Sequence, residues 1–230
     1  MKNIKISKKI SANKIAEYVD AKPSRQETLI RQRIKDDGHA SNYYALASAA
    51  ISRLLTLELG FTQAAFVQQE SLIEVHPGYG SHPKALIQNN LMALRCFRRM
   101  CLADGTLPAG SYRKATLKLP VCNLGGLLVS NAMDIELVVK QRKRVKYGAV
   151  KLYFSKDHHL SDFSGKILSS MLYRQFVGVR DYGSVSRQHV VVVDVFSEKV
   201  FEAPASHTRL NNELLATSRG IIARWDSLLT

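Results

Sequence analysis

The order of strand-like and helix-like segments after residue 80 limits the folds open to this chain more than any other feature. In sequence order they are a helix at 81–103, strands at 113–119, 127–140 and 145–155, a helix at 163–179, and the β-branched strand HVVVVDVF at 189–196. Adjacent strands followed by a crossover helix and a further strand predict a mixed sheet with helices on both faces. The expected fold class is therefore α+β.

The first part of the chain has a different, helical pattern. We expect a helical N-terminal region over residues 1–78 and an α/β core over 79–230, closed by a last helix at 211–229. Ser11 is placed to cap a first helix, and Ser24 with Glu27 matches a capping box for a second. This helix pair resembles a helix-turn-helix in outline, so Arg25 and Arg31 are candidate nucleic-acid contacts. The alternative is a helical cap that binds nothing.

The charge of the chain points to a polyanionic partner. Lys and Arg number 33 against 19 Asp and Glu, a formal net charge of +14. Such an excess costs self-repulsion unless a polyanion is met, either nucleic acid or an anionic membrane. The uncharged stretch around 119–133 is too short and interrupted to span a bilayer. The first 20 residues lack an apolar h-region, so we do not expect them to be a secretory signal. Three cysteines without metal-ligand spacing favour a reducing compartment, and we expect a cytoplasmic protein.

Residues 126–156 carry the side chains best suited to chemistry. With strand alternation, Asp134 and Glu136 share one face of the second strand, and Lys151 lies on the corresponding face of the third. If the strands pair through these faces, the acids are candidate Mg²⁺ ligands and the lysine would stabilise charge on a phosphoryl group. The alternative is the solvent face of a half-exposed sheet, with Lys151 guarding an edge against aggregation.

A basic hairpin joins these two strands. Its sequence, KQRKRVK, predicts a clamp for the phosphate backbone, because each neutralised phosphate releases a counterion. The alternative is a solvated loop. The candidate nucleic-acid contacts in it are Lys140, Arg142, Lys143, Arg144 and Lys146.

The segment order, an acid on the second strand and a lysine on the third resemble the core of the restriction-endonuclease-like, or PD-(D/E)xK, nuclease superfamily. The resemblance covers roughly residues 81–196 and implies that Asp134 is the first metal-binding acid and Lys151 the catalytic lysine. The position two before Lys151 is Ala149, so the (D/E)xK motif reads AVK, and Glu136 would have to supply the second acid. The helix that follows contains Tyr173 and Gln175, which look like elements of RecB-like members.

Together these features predict a nucleic-acid-binding protein with DNA as the expected partner. The resemblance implies a Mg²⁺-dependent nuclease, and by analogy a role in phage defence or mobile-element biology. One alternative is a nuclease-like fold without activity, acting as a DNA-binding or scaffold subunit of a larger complex. Another is a regulator that reads DNA through its N-terminal helices.

Overall fold

The computed structural model describes residues 8–35, 43–56, 61–75, 84–102, 106–141, 144–206 and 208–229. The helices within these ranges are α1 (Ala12–Asp20), α2 (Pro23–Lys35), α3 (Ala45–Thr56), α4 (Gln63–Glu74), α5 (Lys84–Leu102), α6 (Asp162–Val177) and α7 (Thr208–Ser227). The strands are β1 (Lys9–Ser11), β2 (Ser111–Lys114), β3 (Cys122–Leu124), β4 (Leu127–Ser130), β5 (Ile135–Gln141), β6 (Arg144–Tyr153), β7 (Val185–Asp194) and β8 (Lys199–Glu202).

A five-stranded mixed sheet forms the centre, with strand order β2-β5-β6-β7-β8. β6 and β7 are parallel, and α6 is the crossover between them, whereas the other neighbouring strands are antiparallel. Residues 190–193 of β7 are four valines with no exposed surface. They alternate between the two cores, which explains why this strand is apolar on both faces. The α+β class and the mixed sheet predicted from the sequence are confirmed.

The segment predicted as one strand at 127–140 is instead two strands in different sheets. β4 pairs with β1 and β3 in a small three-stranded sheet, and β5 joins the central sheet. The break lies at Asn131, where the Asn131 side chain donates to Gln175 of α6 and accepts from the next backbone N–H. The first predicted strand of the core is also shorter than expected, because β2 ends at Lys114.

Helices cover both faces of the central sheet. On one face α3, α4 and α5 pack around Ile135, Val150 and Val191. On the other, α1, α2, α6 and α7 pack around Ala149 and Val192, together with the small sheet. The N-terminal helices are thus distributed over both faces, and the division of the chain at residue 79 remains a prediction.

Two N-terminal helix starts differ in how they are capped. Ser11 caps α1, accepting a hydrogen bond from the backbone N–H of Lys14 at 3.4 Å, as predicted. The capping box predicted for α2 is wrong, because Ser24 lies inside the helix, which begins at Pro23. Proline favours the first helical position since it has no N–H to satisfy there. Among the described residues, no helix is long and apolar enough to cross a membrane.

Candidate functional site

Asp134 and Lys151 lie together at one end of the central sheet. Asp134 immediately precedes β5. Its Oδ2 accepts a hydrogen bond from the backbone N–H of Leu152 at 2.7 Å, and its carboxylate also accepts one from the side chain of Ser48 on α3. The buried Lys151 donates from Nζ to the carbonyl of Ala132 at 3.0 Å. Burial raises the pKa of Asp134 and lowers that of Lys151, and the attraction between the two charges opposes both shifts. The half-buried Asp134 and the buried Lys151 therefore interact through their opposite charges.

Glu136 has a different partner. It is only 6% exposed, and its Oε1 accepts a hydrogen bond from the guanidinium of Arg180, a residue that follows α6. The guanidinium carbon also lies 4.4 Å from the centre of the Tyr147 ring. The structure thus brings Asp134 to Lys151 but engages Glu136 with Arg180, on the α6 side of the sheet.

A magnesium ion does not fit these carboxylates as they are arranged. Mg²⁺ requires oxygen ligands in near-octahedral geometry with retained waters. The Asp134 carboxylate is instead occupied by a backbone N–H and a serine hydroxyl, and that of Glu136 by a guanidinium. Over the described ranges, no group of three or more His, Cys, Asp or Glu side chains is placed to hold a metal ion.

The basic hairpin lies at the opposite end of β5 and β6. Lys140 and Arg144 are exposed on its two strands, while Lys146 donates to the carbonyl of Gly183. The other two predicted contacts, Arg142 and Lys143, lie outside the described residues. The hairpin accordingly presents cations at the end of the sheet away from the Asp134–Lys151 pair.

The two N-terminal arginines predicted to contact nucleic acid both lie next to acids. Arg25 binds the buried Glu17, with its Nε 3.0 Å from Oε1, and Arg31 pairs with Glu27 one turn earlier at 2.7 Å. Glu17 also accepts from Lys14 at 2.7 Å. Burial alone would raise the pKa of Glu17, but the hydrogen bonds from Lys14 and Arg25 outweigh it and lower the pKa.

A cleft of about 380 Å³ opens beside Glu17. It lies between α1, the start of α2 and the segment that follows β6, and it includes Asp20 and His158. The Asp20 carboxylate accepts from the backbone N–H and hydroxyl of Ser161, the cap of α6. His158 lies with Nε2 3.6 Å from Glu17 Oε1. The acids of this cleft hold α1 against α2 and α6.

Sequence reasoning missed Arg180 and Arg113, two cations that lie beside Glu136. Arg180 pairs with Glu136, 44 residues away in the sequence, and Arg113 of β2 lies directly opposite Glu136 in the strand register. The available signal for Arg113 was its place in a strand-like segment next to other basic residues. For Arg180 there was none, since its position depends on how the loop after α6 folds back.

No model of a known protein family matches this sequence, and no curated protein is significantly similar to it.

Proposed function

We propose that this protein binds nucleic acid through the cationic end of its central sheet. We define the hairpin surface as the side chains of Lys140, Arg144 and Lys146. Within the described part of the chain none of these three pairs with a carboxylate, and Lys146 donates to the carbonyl of Gly183. This excess of unneutralised cations at one end of a rigid sheet is the observation that supports the proposal.

The physical reason for this proposal is that a cationic surface attracts the phosphates of a nucleic acid. A row of cations held on strands neutralises several phosphates at once and releases their counterions. A net charge of +14 adds long-range attraction that steers a polyanion toward the molecule.

The experiment is a salt titration of binding to a labelled DNA duplex and to its single strand. We expect the logarithm of the association constant to fall linearly with that of salt between about 50 and 200 mM. The double variant Lys140→Glu/Arg144→Glu should weaken binding and reduce the salt slope by about 2, one for each phosphate that is no longer neutralised.

A matched control variant shows whether the loss of affinity comes from the change in net charge or from the position of the substituted residues. Lys84 is exposed at the start of α5, one of the helices that cover a face of the sheet, and is not part of the hairpin. The double variant Lys84→Glu/Arg53→Glu carries the same net charge, with Arg53 on α3 of that face. If this variant loses as much affinity as the hairpin variant, or if the parent shows no salt-dependent binding, the hairpin surface is not the interface.

A second candidate function is phosphodiester cleavage, which the adjacency of Asp134 and Lys151 favours. The strand-strand-helix-strand order around them, β5, β6, α6 and β7, is the order that the resemblance to the nuclease superfamily implies. Ala149, which stands where that family has an acid, is fully buried opposite Glu136. Cleavage activity would therefore require Glu136 to break its ion pair with Arg180. If the protein has no cleavage activity, it is a binding or scaffold subunit.

Cleavage is tested by incubating supercoiled and linear DNA with Mg²⁺ or Mn²⁺, with EDTA as the control. The nuclease hypothesis expects metal-dependent cleavage that Asp134→Asn removes while DNA affinity is retained. Asn keeps the shape of Asp134 and an oxygen to accept from Leu152, so folding should survive. A parent protein that binds DNA but cleaves none under these conditions contradicts this candidate.

A further inference from the structure

A cluster of aromatic rings stands at the other end of the central sheet from the hairpin. We define the aromatic cluster as Tyr43, Tyr44, Phe154 and Phe196. Tyr44 is its centre: its ring lies 5.3 Å from that of Phe154 in a stacked arrangement, and 5.4 Å and 5.1 Å from those of Phe196 and Tyr43, edge to face. Such distances are typical of rings that hold one another in place.

The position of the cluster is one where proteins with parallel strands bind ligands. Phe154 directly follows β6 and Phe196 follows β7, so both rings stand at the carboxyl ends of the two parallel neighbours. Crevices outside the carboxyl ends of strands are the usual ligand sites of open α/β sheets. The rings are also accessible: Tyr43 is 41% exposed, and the other three are half-buried over the α3 side of the core.

Two asparagines of α5 hold Tyr43 of the aromatic cluster in place through hydrogen bonds. Asn89 donates to the Tyr43 hydroxyl at 2.9 Å, and Asn90 donates to the Tyr43 carbonyl at 3.0 Å. The fully buried Asn90 also accepts from the backbone N–H of Ala47 at 2.8 Å, which secures the start of α3. The exposed ring is therefore pre-organised, and a flat ligand would bind it with little loss of conformational entropy.

We propose that the aromatic cluster stacks unpaired bases of a nucleic acid, so that the protein prefers single-stranded to duplex substrates. The inference rests on the proposed function. Bases present a π-face to an aromatic ring only when they are not sandwiched within a duplex. Lys156 is exposed two residues after Phe154, where it can meet the phosphate that accompanies a stacked base. The net charge of +14 favours this occupant over an apolar protein segment.

The probe is an oligothymidylate of about 12 nucleotides carrying one 2-aminopurine, a length within the span of known single-strand sites. Stacking quenches 2-aminopurine, so its fluorescence in the parent protein reports base contact without any substitution. We expect quenching with the single strand, and Tyr43→Ala should remove much of it. The same variant should weaken single-strand binding roughly 5- to 150-fold, the effect of removing one ring on which a base stacks, while duplex binding changes little.

The controls separate this inference from the function on which it rests. Phe163 is 37% exposed at the start of α6, away from the cluster, so Phe163→Ala removes an exposed ring without touching the site. Tyr43→Phe keeps the ring and should keep the quenching, whereas a role of the hydroxyl would abolish it. Salt-dependent duplex binding without quenching of the single strand overturns the aromatic cluster alone. Absence of binding to either substrate overturns the proposed function as well.

Discussion

At the scale of single residues, Glu17 shows how a buried charge joins separate elements. It lies on α1 and receives hydrogen bonds from Lys14 of the same helix and Arg25 of α2. His158, in the segment after β6, lies 3.6 Å away. A buried carboxylate with several cationic partners is costly to break, because each partner would lose its counter-charge.

Stability should therefore depend on the ionisation of Glu17. Its pKa in the folded protein is below the ordinary value of 4.5, so its contribution is complete above that pH and is lost as pH falls through the folded pKa. Glu17→Gln should lower the free energy of unfolding by about 2 kcal/mol at neutral pH. The difference from the parent should shrink in acid. Urea unfolding at neutral pH and near pH 3 measures both.

The exposed pair Arg31–Glu27 supplies the comparison. Glu27→Gln should cost well under 1 kcal/mol, because solvent screens exposed ion pairs. An equal loss in the two variants, or a Glu17→Gln deficit that does not shrink in acid, would show that Glu17 acts by packing rather than by charge.

Residue-scale reasoning from the sequence placed Asp134 beside Lys151 because alternation along two adjacent strands is a local property. The ion pair of Glu136 was beyond its reach, since the partner comes from a loop 44 residues away. Whether Glu136 acts with the pair was therefore decided by tertiary packing. The pattern of apolar residues in a sequence does not predict ion pairs between residues that are distant in the chain.

At the scale of elements, the sequence predicted the sheet better than its boundaries. Buried positions keep the same parity from Val129 through Met133 to Ile135, so the alternation continues in phase across a break between two sheets. Periodicity cannot reveal a break that preserves its phase. The crossover helix and β7 were predictable, because a short β-branched segment buried on both faces has few other structures open to it.

Gly148 is the point at which β6 changes its pairing with β7. The register shifts between Tyr147 and Ala149, and a Cβ at Gly148 would lie 2.2 Å from the carbonyl oxygen of His189. Gly148→Ala should destabilise the protein by about 3 kcal/mol or more, beyond ordinary overpacking, because backbone atoms of β7 would have to move. Thermal unfolding followed by circular dichroism measures the loss.

A second glycine tests whether the clash with backbone is the cause. At Gly165 a Cβ would meet the Phe201 ring at 2.4 Å, and a ring can turn or shift more readily than a strand. Gly165→Ala should therefore cost less than Gly148→Ala. The reverse order would mean that β7 adjusts freely at the register shift.

At the scale of the whole molecule, the two proposed contact regions stand at opposite ends of one strand. β6 begins at Arg144 in the hairpin surface and ends at Tyr153, next to the aromatic cluster. Ten residues of strand span about 30 Å at ~3.3 Å each. A strand of about 9 nucleotides with a stacked rise of ~3.4 Å covers this length.

Affinity should consequently depend on the length of the nucleic acid in two steps. Oligothymidylates shorter than about 9 nucleotides should contact one end only, and longer ones should gain affinity through the effective concentration of the second contact. Titrating a length series at constant salt measures this gain. Tyr43→Ala should flatten the step, whereas Phe163→Ala should leave it. A smooth increase without a step would mean that the two ends bind independently.

The packing of the N-terminal segment and α2 against the last helix, α7, has a consequence for synthesis of the chain. Arg224 of α7 donates to the carbonyl of Pro23 at 2.8 Å, and Lys8 reaches Asp226 at 2.6 Å. The core on the α6 side is therefore completed only after α7 leaves the ribosome, with α1 and α2 waiting for roughly 200 residues of chain. Until α7 is in place, the side chains of α2, α6 and β4 that pack against it remain uncovered. We expect the nascent protein to need a chaperone on that face until α7 arrives.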